Sequence, residues 1–170
     1  MKKTLLLISV TLIYVSSFAQ QSPRPLSFVT VETVDSATKK ETLYLNGVEW
    51  VGKHFASASK VIQIADKDAG LLLVKGSFNY QAPGNILSGV DTRLISFMLK
   101  LSFKDGRYKI EMSDFRDDAL GLITDADYQD EPSLKKNMQK QWKAAQQQTQ
   151  SNMVAVHKSI KEFMEQNINW

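Results

Sequence analysis

Few side chains in this 170-residue chain could do chemistry. There are two histidines, His54 and His157, and no cysteine. Without cysteine there are no disulfides, thiolate metal sites or thiol nucleophiles, and no N-terminal lipid-bearing cysteine. His54 falls near the end of an expected helix, between Lys53 and Phe55, and is expected to be a partly exposed helix-terminal ring. His157 falls on the polar side of a C-terminal helix, where exposure is expected. No His-Glu-x-x-His, Gly-x-Ser-x-Gly or phosphate-cradling glycine loop occurs. No catalytic residue and no cofactor are therefore expected. The densest chemical cluster is acidic: Asp114, Asp117, Asp118, Asp125, Asp127, Asp130 and Glu131. Such oxygens suit calcium, and Asp125-x-Asp127 begins like a calcium loop. Asp130 stands where that loop needs glycine, and Lys136 where it needs glutamate. Asp125, Asp127 and Asp130 are the candidate metal ligands. The competing expectation is a solvated acidic loop whose Asp130 and Glu131 favour the next helix N-terminus.

The second candidate site is a sheet face. In the strand Leu71 to Tyr80, Leu72, Val74, Phe78 and Tyr80 share one side. Lys75, Ser77 and Asn79 share the other. Lys100, Lys109 and Glu111 are expected on the same outward side, with Arg93, Met98, Ser102 and Ser113. Any solvated face has such a mixture, and it could take a peptide, a glycan or a protein partner.

The elements that position these residues begin with a hairpin. Leu94 to Lys104 and Arg107 to Phe115 flank Asp105-Gly106, a preferred two-residue turn. Counting outward pairs Phe103 with Tyr108, Leu101 with Ile110 and Leu99 with Met112, all on one side. Lys100 then meets Glu111 on the other side. A one-residue slip would destroy both patterns. Phe28 to Val34 alternates and reads as a strand. Thr38-Lys39-Lys40-Glu41 fits a capping box, opening a helix with Tyr44, Val48, Val51 and Phe55 at helical spacing. Val61 to Asp66 is a further strand that turns at Asp66–Gly70, and Gln81 to Val90 is a loop.

From Ser133 onward, Leu134, Met138, Trp142, Ala145, Thr149, Met153, Val156, Ile160 and Phe163 recur every three or four residues. A single helix there would be about 54 Å long, more than a small domain's expected width. A break near Gln146–Asn152 is therefore expected, with the second part less tightly held. The order β-α-β-β-β-β-α, dominated by hairpins, implies an α+β fold with a mostly antiparallel, curved sheet and helices on one face.

The N-terminus points to export. Lys2 and Lys3 precede an apolar stretch, Thr4 to Phe18, and Ser17-Phe18-Ala19 is a small-x-small cleavage site. The stretch is too short to span a bilayer, which takes about 20 residues. The expected division is a signal peptide at 1–19, a flexible leader at 20–27, an α+β domain at 28–149 and a helical tail at 150–170. The chain carries 21 basic and 18 acidic residues. Cleavage after Ala19 leaves 19 against 18. Gln20 to Pro132 is net −3 and Ser133 to Trp170 net +4. An acidic body argues against a nucleic-acid partner, and no membrane span is expected after cleavage. Trp142, Met153, Phe163, Met164 and Trp170 make the tail a candidate for self-association through Ser151–Trp170.

Several segments resemble a known family. They are Leu43-Tyr44 with Trp50, the run Val61 to Gly70, and Lys104-Asp105-Gly106-Arg107-Tyr108 leading into Ser113-Asp114-Phe115. Over about Phe28 to Phe115 the chain resembles the exported bacterial family known as domain of unknown function 4468, with a TATA-binding-protein-like (TBP-like) fold. The resemblance implies a fold and an export route, but no activity and no site residues. The expectation for function is a non-catalytic binding or structural module of the bacterial envelope, periplasmic or extracellular. The alternative is a hydrolase or metal-binding protein using the Asp114–Glu131 region.

Overall fold

The computed structural model describes residues 23–84, 89–125 and 136–168. Their order is β1 (Phe28–Thr33), α1 (Lys40–His54), α2 (Ala58–Val61), β2 (Ile62–Asp66), β3 (Leu71–Pro83), β4 (Val90–Lys104), β5 (Arg107–Asp117), β6 (Gly121–Leu122) and α3 (Lys136–Ile168). The strands form one sheet in the order β1-β5-β4-β3-β2, with β6 beside the end of β5. All its pairings are antiparallel. The architecture is the expected α+β fold, with the short α2 and β6 added.

The β4–β5 register is the one the alternation requires. Phe103 faces Tyr108, Leu101 faces Ile110, Leu99 faces Met112, and Lys100 faces Glu111. All six apolar side chains are buried. They lie under α1 and α3, together with Leu72, Val74 and Tyr80 of β3. The β3–β4 ladder runs from Leu71↔Ser102 to Pro83↔Val90, so both strands reach further into the expected loop than their composition suggests.

Helix α1 begins differently from the expected capping box. Lys39 occupies the N-cap and its side chain makes no capping bond. The cap comes from the hairpin turn instead. The Lys40 N–H donates to Asp105 Oδ1 at 2.8 Å, and Gly106 N–H donates to Thr38 O at 2.9 Å. Asp105 thus places a carboxylate at the positive end of the helix, and that backbone bond holds its pKa below the usual range. The helix then buries Leu43, Tyr44, Gly47, Trp50 and Val51. Gly47 is where the helix comes closest to the sheet, because a Cβ there would lie 2.5 Å from Phe103 Cζ.

The expected break in the C-terminal helix does not occur. Helix α3 runs through all 33 residues from Lys136 to Ile168. Its buried positions Ala145, Thr149, Met153, Ile160 and Met164, with half-buried Val156 between the third and fourth, keep the three-to-four spacing through the glutamine-rich stretch and beyond. At 1.5 Å per residue it spans about 50 Å. The 15-residue β4 is about as long at 3.3 Å per residue, and α3 packs against α1, β3 and β5. Met153, Ile160 and Met164 of the tail are therefore part of the core, and among the described side chains of α3 Val154 is the large apolar one left exposed; Trp170 lies outside the described residues. Residues 24–26, read as part of a flexible leader, lie against the chain after β6: Leu26 is buried and its N–H donates to Ile123 O at 3.0 Å.

Candidate functional site

Helices cover one face of the sheet and leave the other open. Lys75, Ser77 and Asn79 of β3 and Lys100 of β4 are exposed on that open face, with Lys109 and Glu111 of β5 half-buried there. The predicted face is thus assembled as one surface, with one correction. Arg93 pairs with the inward-facing Tyr80 and shares its phase with Ile95 and Phe97, so it points under the helices. Leu94 takes the outward position.

The open face has distinct chemistry near the β4–β5 turn. Lys100, Lys104, Arg107 and Lys109 share it with Glu111, and Asp66 at the end of β2 lies on the same face beyond Leu71 and Ser102. Glu111 bridges Lys109 at 2.9 Å and Lys100 at 3.3 Å. The Lys109 hydrogen bond, with Lys100 behind it, holds its carboxyl below the usual range. Lys104 and Arg107 stand directly opposite each other. Neither has an ion pair among the described residues. Like charges so placed destabilise a sheet locally. Beside them lies a shallow depression of about 200 Å³, lined by Val31, Ser102, Lys104, Arg107, Tyr108 and Lys109. The edge strand β1 adds Val29 and Val31, which are 58% and 55% exposed. An unneutralised cation pair next to bare β-branched side chains suits a ligand that is anionic and partly apolar.

The acidic connection is largely committed elsewhere. Part of it is strand: β5 continues to Asp117, with a bulge where Asp114 and Phe115 oppose Phe97 alone. Asp114 takes φ +53° there. This extra residue reverses the strand's phase. Phe115 consequently turns inward and stacks on Phe97, with ring centroids 5.7 Å apart. Asp117 is carried inside as well. It accepts Tyr80 Oη–H at 2.6 Å and the N–H groups of Ala119 and Leu120, each at 2.8 Å. Arg93 Nη1 lies 3.5 Å away. Burial, reinforced by the Asp117 charge, pushes the Tyr80 phenol up. Asp114 pairs with Arg116 at 2.8 Å, and Asp125 Oδ1 accepts the Arg24 N–H at 2.7 Å. Asp127 and Asp130 lie outside the described residues. Among the described residues no group of three or more histidines or acids is placed to hold a metal ion.

Both histidines belong to constellations that the linear sequence conceals. His157 Nε2–H donates to Glu32 Oε1 at 2.8 Å, and Lys161 reaches Glu32 Oε2 at 3.1 Å. The His157 bond, opposed by burial and aided by Lys161, holds the Glu32 carboxyl low. This clamp fastens α3 to β1. His54, at the end of α1, meets Ser159 of α3, with Nε2 and Oγ 2.9 Å apart. Ser159 carries no signal of its own; it lies 105 residues from His54 and only the packing of α1 on α3 joins them.

No functionally curated protein matches the chain. Among solved structures, it is similar to a DUF4468 family protein from Bacteroides ovatus, at 15% identity and a TM-score of 0.45 over 55% of each chain. It thus spans little more than half of that protein's length. A TBP-like protein from Parabacteroides distasonis is similar at 16% identity and a TM-score of 0.52, over 81% of this chain and 93% of that one. This second likeness supports the fold. The family model for a domain of unknown function with TBP-like fold, DUF4468, matches residues 28–117, more than half of the chain. The protein belongs to the DUF4468 family.

Proposed function

We propose that this is an exported binding module that holds an acidic, partly apolar polypeptide on its open sheet face. The Lys104–Arg107 cross-strand pair carries the proposal, because it sets two cations side by side next to exposed Val31, neither of them ion-paired among the described residues. A partner carboxylate between them would relieve that repulsion, while apolar side chains cover Val29 and Val31. No histidine lies on this face, and Glu111 is engaged by two lysines. Binding rather than bond-breaking is the chemistry such a surface offers. Export is supported by the charged, apolar and small-x-small sequence of Met1 to Ala19.

The test uses a fluorescent peptide of alternating Glu and Val, a Ser-Val counterpart and a single-stranded oligonucleotide of matched charge. The Glu-Val peptide should bind, and more weakly as salt rises, since exposed charges are screened. The Ser-Val peptide should not bind, and the variant K104E/R107E should lose the Glu-Val peptide. Equal binding by that variant, or preference for the oligonucleotide, would overturn the proposal. For export, the N-terminal residue of the protein recovered outside the cytoplasm should be Gln20.

A further inference from the structure

The face of the molecule opposite that surface holds a serine set up to react. Ser159 Oγ lies 2.9 Å from His54 Nε2, and His54 Nδ1 lies 2.8 Å from the Trp50 carbonyl oxygen. A carbonyl oxygen can only accept, so in the neutral ring Nδ1 holds the proton and Nε2 presents its lone pair. The Ser159 hydroxyl is then the donor to Nε2. Trp50 Nε1–H donates to the same Oγ at 3.0 Å, which fixes the hydroxyl's rotation and leaves one oxygen lone pair unused. The imidazole is also held in place by stacking on the Trp50 ring, with centroids 4.6 Å apart. A nucleophile, a base and a group orienting the base are the parts of an acyl-transfer site, with a main-chain carbonyl here in the third role.

The pair opens on a cleft of about 250 Å³, whose apolar walls include Phe55, Phe78, Phe97 and Val156. That volume is below the range of drug-sized ligand sites, about 300–1,000 Å³, and suits a short acyl or aryl group. We propose that Ser159 is a nucleophile, with His54 as its base, that accepts the acyl group of small apolar esters. Oγ attacks the ester carbonyl carbon and its proton passes to His54 Nε2. The bond to the leaving alcohol breaks, and the alcohol oxygen takes the proton from Nε2. Water then attacks the acyl carbon as His54 Nε2 takes its proton; the bond from that carbon to Ser159 Oγ breaks, Oγ takes the proton back from Nε2, and a carboxylic acid leaves. The cleft borders the open face at Ser77, but Lys104 and Arg107 do not line it, so the serine site stands or falls without theirs.

The experiment treats the full chain with an alkyl fluorophosphonate, which loses fluoride when a serine oxygen attacks phosphorus, and locates the adduct by intact and peptide mass. One adduct is expected, on Ser159. It should be absent in Ser159→Ala and form about 100-fold or more slowly in His54→Gln, the usual contribution of a general base. His54 is exposed and Ser159 half-buried, so both variants should keep the parent's circular dichroism; Ser159→Ala should melt at a lower temperature, because it leaves the Nε1–H of buried Trp50 without its acceptor. Failure of the folded parent to label at Ser159 overturns the proposal. Labelling of His54→Gln at the parent's rate also overturns it, because the hydroxyl would then owe nothing to the imidazole.

Discussion

Two glycines in α1 should respond in opposite directions to the same change. Glycine costs a helix interior about 1 kcal/mol relative to alanine. Gly52 has open space around it, with nothing within 4 Å of an added Cβ. Gly52→Ala should therefore stabilise the protein by about 0.5–1 kcal/mol. At Gly47 the same Cβ would stand 2.5 Å from Phe103 Cζ and 3.3 Å from both Cε atoms. Phe103 is 1% exposed and sits edge-on against Tyr44, with centroids 5.9 Å apart. It has no room to swing away. Overpacking a core by one carbon costs about 1–3 kcal/mol, which outweighs the propensity gain. Gly47→Ala should be a net loss of up to about 2 kcal/mol. Urea unfolding of both variants, with circular dichroism as the signal, reads the difference directly. A Phe103→Leu background should abolish most of the Gly47→Ala penalty, because touching residues are not additive. If Gly47→Ala stabilised the protein as Gly52→Ala does, the seating of α1 on the sheet, and with it the His54–Ser159 geometry, would be wrong.

Other consequences concern the polar ties beneath the helices. Tyr80→Phe removes the hydroxyl donating to buried Asp117 and should cost about 1.5–3 kcal/mol, as for hydrogen bonds to a charged group, measured by the same unfolding assay. Asp114→Val puts a β-branched residue at φ +53° and should cost about 1–2 kcal/mol, whereas Asp114→Gly should be tolerated. Glu32 has its carboxyl held below 4.5, first by the His157 N–H and then by Lys161. Its folded pKa is depressed, so its contribution is complete above about pH 4.5 and is lost as the pH falls through the folded value. Glu32→Gln should lower the thermal midpoint at pH 7 and make it fall less steeply between pH 4.5 and pH 2.5. An unchanged acid slope would refute the clamp.

Period-two alternation around Asp105-Gly106 was enough to read the central hairpin, its register and the open face. One side of each strand had to be apolar, and only one register satisfied both sides. Tertiary compensation hid the rest. The α1 cap was hidden because its acceptor, Asp105, belongs to a turn far along the chain. The bulge at Asp114 was hidden because an aspartate supplies the left-handed residue where glycine would have signalled it. Without the bulge, Asp117 reads as one more loop acid; with it, Asp117 becomes the buried partner of Tyr80 and Arg93. Arg93 has the parity of inward-facing Leu99 and Leu101, so strict alternation places it under the helices rather than on the open face. The unbroken α3 is legible in its apolar spacing, but the length of sheet it rests on is not, because β3 and β4 extend through the Pro- and Gly-containing segment that reads as a loop. The Ser159–His54 contact had no local signature, because it exists only where two helices cross.

The binding surface is tested most directly by mapping the Glu-Val peptide onto the isotopically labelled protein by amide chemical shifts. Shifts confined to Val29, Val31, Lys100, Lys104, Arg107 and Lys109, and absent from K104E/R107E, are the predicted result. Shifts centred on α1 and α3, or an unchanged spectrum at millimolar peptide, would contradict a binding role for the open sheet face.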